Sequence, residues 1–198
     1  MEGIVKNLKN DIKPSGQWDL KKSVELDRHK EFKNDIKLAR QGDADAFARL
    51  YSDVYKQMYH TALYNLRNSH DACDAVSEAV IDAFGAIKNL RNEDAFKGWI
   101  MKILFTKIKK KQKEYMKFEV EVTDDIKMSS FNYEKAELRE ALDSLDDESR
   151  AILSLAVLGG YSSKEISKIF GINAGTVRSK LSRIKEQLRL FLGSERSV

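Results

Sequence analysis

Apolar side chains recur at intervals of three and four residues along most of this chain, which is the spacing that forms one face of an α-helix. A clear example runs from Asp43 to Leu66, with apolar residues at Phe47, Leu50, Tyr51, Val54, Met58, Ala62 and Leu66. The 198 residues include a single proline, Pro14, and many Leu, Ile, Ala, Lys and Glu, so few positions would interrupt a helix. The sequence therefore predicts an all-α fold and argues against a β-sandwich or barrel.

Composition also argues against several kinds of function. The lone cysteine, Cys73, excludes a disulfide scaffold and a zinc site built on several cysteines. The three histidines, His29, His60 and His70, lack metal-ligand spacing, and the sequence has neither a phosphate-binding glycine loop nor a nucleophile elbow. No apolar run is long enough to span a bilayer, and no secretory signal is visible. We therefore expect a cytoplasmic protein that is not an enzyme, requires no cofactor or metal, and has no direct membrane insertion.

Charges are grouped in blocks of alternating sign. From Lys97 to Lys117 there are eight bases and one acid, whereas Phe118 to Asp147 holds ten acids and three bases. Lys164 to Arg189 is basic again, with seven bases and two acids. Two basic blocks separated by an acidic one indicate two polyanion-binding surfaces on one chain, although solvated helix faces would account for any single block.

Four acidic residues recur at helical spacing on the helix predicted from Ser69. This acidic ridge consists of Asp71, Asp74, Glu78 and Asp82. Like charges on one helix face repel each other, so the ridge favours a basic partner, with a solvated face as the alternative.

The next predicted helix, from Phe96 to Lys117, combines Trp99 with a dense group of lysines, five of which fall within seven residues. Such a surface is typical of phosphate binding.

The C-terminal part carries the most specific pattern. Ser162 and Glu165 have the spacing of a capping box that begins a short helix, Gly171 supplies a turn, and Asn173 can cap a longer helix. A short helix, a glycine turn, and a second helix with a buried Val177 and a basic outer face predict a helix-turn-helix that enters the DNA major groove. The alternative is a plain helical hairpin with a solvated basic face.

In this order and spacing, the motifs resemble those of a bacterial RNA polymerase sigma factor of the extracytoplasmic function (ECF) type. Asp71 to Glu78 is similar to the family's acidic clamp-binding helix, Phe96 to Ile100 to its promoter-contacting motif, and Gly175 to Leu181 to its recognition helix. The resemblance covers about residues Ile36 to Leu192. It implies a protein that binds core RNA polymerase and directs promoter recognition, promoter melting and transcription initiation for a stress- or envelope-type regulon.

The resemblance also implies a domain organisation. Two small helical domains would be joined by a flexible acidic linker, would touch mainly through core polymerase and DNA, and the C-terminal one would contain the helix-turn-helix. The expected boundaries are an N-terminal extension over 1–33, a region 2-like domain over 34–117, a linker over 118–133, and a region 4-like domain over 134–193.

Residue roles follow from the same resemblance. The acidic ridge would bind the clamp of the largest polymerase subunit. A base flipped out of the −10 element would be captured by a loop containing Asn89, Leu90, Arg91 and Asn92. The opened strand and upstream phosphates would be held by Trp99, Lys102, Lys107, Lys109, Lys110 and Lys111. The −35 element would be read by Arg178, Ser179, Ser182 and Arg183, with Lys180 on the DNA backbone.

The implied partners are core RNA polymerase, through its clamp and flap, promoter DNA, and an anti-sigma factor that can be membrane-anchored. An autonomous helix-turn-helix regulator with an N-terminal dimerisation or ligand domain is the alternative. That alternative does not account for an acidic ridge, a basic helix and an acidic linker in this order.

Overall fold

The computed structural model describes residues 15–118 and 136–194, which form helices without a β-strand. The helices are α1 (Ser15–Arg40), α2 (Ala44–Leu66), α3 (Ser69–Ala86), α4 (Phe96–Phe118), α5 (Ala136–Asp143), α6 (Asp147–Val157), α7 (Ser163–Phe170) and α8 (Ala174–Ser194). Two 3-10 turns, Ile87–Asn89 and Glu93–Ala95, connect α3 to α4. The all-α prediction is confirmed, and residues 119–133 of the predicted linker lie outside the described residues.

Several helices begin at the capping residues that the sequence indicates. The Asp43 side chain accepts a hydrogen bond from the Ala46 amide at 2.9 Å and begins α2. Asp146 begins α6 in the same way, accepting from the Ser149 amide at 2.8 Å. Each such cap satisfies a helix N–H group that would otherwise lack a partner, and stabilises the helix by about 1 kcal/mol.

Helix α1 is continuous over 26 residues, so the predicted boundary at residue 33 falls inside a helix. Ile36 and Ala39 are buried near its C-terminal end, and Phe32 packs against the same core one turn earlier. These contacts anchor a segment whose own sequence shows little helical periodicity.

The N-terminal half of the core is built around α2. Leu50, Met58 and Leu66 of α2 are fully buried together with Ile100 and Leu104 of α4. Burying an aliphatic side chain of this size contributes about 1.5–3 kcal/mol, so this layer fixes α4 firmly against α2.

Contrary to the expectation of two domains that touch mainly through polymerase and DNA, the C-terminal half packs directly on the N-terminal half. Ile152 and Leu155 of α6, and Ile166 of α7, belong to the same buried cluster as α2 and α4. Between α4 and α7, the rings of Phe105 and Phe170 lie 5.0 Å apart between centroids. The two halves therefore share one apolar core.

Polar contacts between α2 and α6 accompany this packing. Gln57 Nε2 donates to the Gly159 carbonyl at 2.8 Å, and Asn65 Nδ2 donates to Ser154 Oγ at 3.1 Å. The pairing is incomplete, because Asn65 Oδ1 and Thr61 Oγ1 are buried and have no hydrogen-bond partner among the described residues.

Candidate polymerase-binding and nucleic-acid interfaces

Helix α4 lies alongside α3, and its lysines form ion pairs with the acidic ridge. Lys111 Nζ is 3.0 Å from Asp71 Oδ1 and 3.2 Å from Asp74 Oδ2. Asp71 also accepts a hydrogen bond from the Tyr115 hydroxyl. Partial burial would raise the pKa of Asp71, but the hydrogen bonds from Tyr115 and Lys111 outweigh it and hold that pKa below its usual value.

The other end of the ridge is paired in the same way. Lys107 Nζ lies 2.6 Å from Asp82 Oδ2 and 3.6 Å from Glu78 Oε2, with Lys110 Nζ 3.9 Å from the same Glu78 oxygen. The hydrogen bond to Asp82 is the main cause that raises the pKa of Lys107, so the amine stays charged. The repulsion expected along the ridge is thus offset within the chain.

These contacts divide the predicted phosphate-binding lysines into two groups. Lys107 and Lys111 expose only 18% of their side chains, because they face α3. Lys102, Lys109 and Lys110 are exposed. The ammonium of Lys109 also lies 5.6 Å from the ring centroid of Phe170 on α7.

Trp99, on the first turn of α4, is half-buried and packs against the core. Its ring centroid lies 6.0 Å from that of Phe96.

The acidic ridge also has an apolar neighbour that the sequence analysis did not select. Ile81 precedes Asp82 on α3 and is 71% exposed. Phe84, on the next turn, is partly exposed and packs edge-on against Phe47 of α2 at 5.1 Å between centroids. Exposed apolar residues beside exposed carboxylates are typical of a protein-binding surface. A count of charges along the sequence does not reveal this feature.

The predicted −10 loop is a compact segment between α3 and α4. Asn89, Arg91 and Asn92 are exposed, whereas Leu90 is only 5% exposed and belongs to the core. Asn92 Oδ1 accepts a hydrogen bond from the Asp94 amide at 3.0 Å and begins the second 3-10 turn. The segment thus presents three polar side chains around a buried leucine.

The helix-turn-helix prediction matches the geometry of α7 and α8. Both hydrogen bonds of the capping box between Ser162 and Glu165 are present. Gly171 ends α7 at φ 70°, a left-handed conformation that glycine adopts without steric cost. Asn173 Oδ1 accepts from the Gly175 amide at 2.7 Å at the start of α8.

Most of the predicted −35 readers lie on the outer face of α8, which is anchored by the buried side chains of Val177 and Ile184. The exposed readers are Arg178, Ser179, Ser182 and Arg183. Lys180 is half-buried instead, because its Nζ lies 2.6 Å from Glu148 Oε2 of α6. It therefore ties α8 to α6.

Over residues 15–118 and 136–194, no group of three His, Cys, Asp or Glu side chains is arranged to hold a metal ion. The same residues include no helix long and apolar enough to cross a membrane.

Two parts of the chain match known sequence families: residues 50–112 match Sigma-70 region 2, and residues 135–188 match Sigma-70, region 4. The RNA polymerase sigma factor SigV of Bacillus subtilis (strain 168) is 30% identical over 148 residues, covering 73% of this chain and 89% of SigV. The ECF RNA polymerase sigma factor SigW of the same organism is 31% identical over 177 residues, covering 79% of this chain and 94% of SigW. The chain belongs to the ECF sigma factors.

Solved structures support the same fold for this sigma factor. CnrH, in complex with the cytosolic domain of CnrY, aligns with a TM-score of 0.65 at 19% identity, covering 83% of this chain and 98% of CnrH. The sigma factor RpoE of Bartonella quintana, in complex with the anti-sigma factor NepR, aligns with a TM-score of 0.62 at 19% identity, covering 74% of this chain and 96% of RpoE. The function predicted from the order of the motifs, a sigma factor acting in transcription initiation, is confirmed.

Proposed function

We propose that this sigma factor recognises the −35 element through α8. The observation that carries this proposal is the position of Arg178, Ser179, Ser182 and Arg183 on the exposed face of a helix that is capped by Asn173 and anchored through Val177. Two arginines and two hydroxyl groups can donate hydrogen bonds to base edges in the major groove, and arginine pairs best with guanine. Lys180 would contact the DNA backbone after exchanging Glu148 for a phosphate.

The −10 element would be recognised by the segment between α3 and α4. Exposed Asn89, Arg91 and Asn92 have hydrogen-bonding groups for an extruded base, and the buried Leu90 fixes the backbone between them. The exposed lysines of α4 and the half-buried Trp99 would hold the opened strand and the upstream phosphates.

Core polymerase would bind the outer edge of the acidic ridge. Asp74 and Asp82 expose 63% and 53% of their side chains although each is paired with a lysine of α4. A basic clamp surface would compete with Lys107 and Lys111 for these carboxylates, and Ile81 offers apolar area beside them. Asp71, which accepts a hydrogen bond from the Tyr115 hydroxyl, would stabilise the fold instead of binding polymerase.

Promoter binding would require the two halves of the chain to separate. The −10 and −35 elements lie roughly 25 base pairs apart, or about 85 Å of B-form DNA at 3.4 Å per base pair. Helix α7 of the −35-binding half rests on α4 of the −10-binding half, with Phe105 and Phe170 5.0 Å apart. Because the longest described helix, α1, has 26 residues and is about 39 Å long, we infer that the closed body is too short to contact both elements.

An anti-sigma factor is the partner that we expect to regulate this chain, since RpoE, which shares the fold, was solved with the anti-sigma factor NepR. We place the sigma factor in the bacterial cytoplasm, where polymerase and DNA are found, and assign it a stress- or envelope-type regulon from the resemblance alone.

Transcription from fragmented genomic DNA tests the proposal directly. Sigma-free core polymerase from a compatible host is assayed with and without the folded protein, and transcript start sites are mapped. New start sites that share two upstream elements are expected with the wild type, and Arg178→Ala should lose those with the preferred −35 base. The same set of start sites, at the same strength, with the wild type and with Arg178→Ala would argue against −35 recognition through α8.

A further inference from the structure

Helix α1 packs against the segment that carries the proposed −10 readers. Ile36 and Ala39 bury the C-terminal part of α1 in the core, and Asp35 accepts hydrogen bonds from the Arg49 guanidinium at 2.6 to 3.1 Å. These contacts fix α1 along α2. The preceding turns of α1 then reach the 3-10 turn Glu93–Ala95 and the start of α4.

An ion pair joins α1 to this turn. Lys33 Nζ lies 3.0 Å from Asp94 Oδ1, and His29 Nε2 lies 3.8 Å from the same oxygen. The Asp94 amide in turn donates to Asn92 Oδ1, and the Ala95 amide donates to the Asn92 carbonyl at 3.1 Å. Movement of Asp94 would therefore displace Asn92, one of the proposed base-contacting residues.

An aromatic contact fixes the far end of the same segment. Phe96 is fully buried and follows the turn directly. The ring of Phe32 meets it edge-on at 5.6 Å between centroids, and Lys97 Nζ lies 5.6 Å from the Phe32 centroid. With Leu90 buried at the near end, exposed Arg91 and Asn92 are held between two anchored positions, one of which depends on α1.

We propose that α1 positions the −10-reading segment and thereby sets how strongly this sigma factor discriminates among −10 bases. Lys33 and Phe32 are the positioning residues, and neither needs to touch DNA. The proposal rests on the −10 role proposed above for Asn89, Arg91 and Asn92. Base readout requires donors and acceptors held to within about 0.5 Å, so a looser Asp94 reduces discrimination more than it reduces overall binding.

Charge reversal at two positions of α1 tests the proposal. Lys33→Glu places a carboxylate beside Asp94, whereas Lys37→Glu makes the same change one turn later at an exposed position and serves as the matched control. Each variant, as holoenzyme with core polymerase, is assayed on promoters that differ at single −10 bases and on promoters that differ at single −35 bases. Melting temperature and affinity for core polymerase are measured in parallel.

The expected result is a two- to fivefold loss of −10 discrimination in Lys33→Glu, roughly the range of an ion pair of this exposure, with −35 discrimination equal to that of Lys37→Glu. Combining Lys33→Asp with Asp94→Lys restores the ion pair in reverse and should restore −10 discrimination. Phe32→Ala should lower −10 discrimination without changing −35 discrimination.

Three results would overturn the proposal while the −10 role stands. These are equal −10 discrimination in Lys33→Glu and Lys37→Glu, no restoration in the charge-swapped variant, or a parallel loss at both elements that tracks melting temperature. A wild-type protein that responds to −35 changes but not to −10 changes would overturn the proposed −10 role and the positioning role together.

Discussion

The ammonium group of Lys111 lies 3.0 Å from Oδ1 of Asp71, so a residue of the predicted DNA-binding helix neutralises a residue of the predicted polymerase-binding helix. The same relationship holds between Lys107 and Asp82 at 2.6 Å. The charged faces of α3 and α4 therefore stabilise each other. We expect substitutions at the paired residues to change stability, and substitutions at exposed residues of the same helices to change binding.

Removing Lys111 should destabilise the fold. Lys111→Ala leaves the partly buried Asp71 without its cation, and we expect the free energy of unfolding to fall by about 1–3 kcal/mol, as for loss of a hydrogen bond to a charged group. Lys102→Ala, at an exposed position of the same helix, should change the free energy of unfolding by less than about 0.5 kcal/mol. Urea denaturation measures both, and equal values would contradict a structural role for Lys111.

The difference between the paired and the exposed lysines of α4 should also appear in promoter binding. Lys102→Ala removes an exposed cation. If that cation neutralises one DNA phosphate, the slope of log K against log salt concentration should become less negative by about 1. Lys107→Ala should leave that slope nearly unchanged, because Lys107 faces Asp82. The measurement is a salt titration of holoenzyme binding to one promoter. A less negative slope with Lys107→Ala but not with Lys102→Ala would show that Lys107, and not Lys102, contacts a DNA phosphate.

Acid should weaken the contribution of Asp71 to stability. The pKa of Asp71 is lower in the folded chain than in the unfolded chain, so its stabilising effect is complete above about pH 4 and is lost as the pH falls through the folded-state pKa. The difference in unfolding free energy between the wild type and Asp71→Asn should therefore shrink on going from pH 7 to about pH 3. Asp74→Asn, at a more exposed position of the ridge, is the control. A difference for Asp71→Asn that stays constant with pH would exclude this linkage.

Arg178→Ala should reduce transcription most at promoters that carry the preferred −35 base. The expected loss of discrimination is about 1–3 kcal/mol, the value of a bidentate arginine–guanine contact. Lys180→Ala should instead reduce transcription from all promoters to a similar extent, because this residue would contact only the DNA backbone. Relative transcription across a −35 promoter panel distinguishes the two, and a uniform loss with Arg178→Ala would argue against base readout.

Locking α4 to α7 should block initiation. A Cβ on Gly98 would lie 4.0 Å from Cγ1 of Ile169, so cysteines at these two positions, in a Cys73→Ser background, lie within reach of a short, reducible thiol cross-linker. The cross-linked protein should fail to support promoter-directed transcription, and cleavage of the cross-link by reductant should restore it. Equal activity before and after reduction would show that the halves need not separate there.

Local features were predictable from the sequence because they depend on neighbouring residues. The capping box at Ser162, the turn at Gly171 and the start of α2 at Asp43 each follow from spacing within one or two helical turns. The pairing of Lys107 and Lys111 with α3 was not predictable, because it depends on how two helices pack. Leu90 illustrates the same limit: it occurs within a polar loop sequence, yet tertiary packing buries it.

The burial of Asn65 has a consequence for how readily α2 and α6 part. Its Oδ1 atom makes no hydrogen bond among the described residues while the halves are closed, and a buried unsatisfied acceptor of this kind costs about 1–3 kcal/mol. Hydration on separation would return this energy and offset part of the cost of exposing the apolar core. We therefore expect hydration of this side-chain carbonyl to favour opening of the contact between α2 and α6.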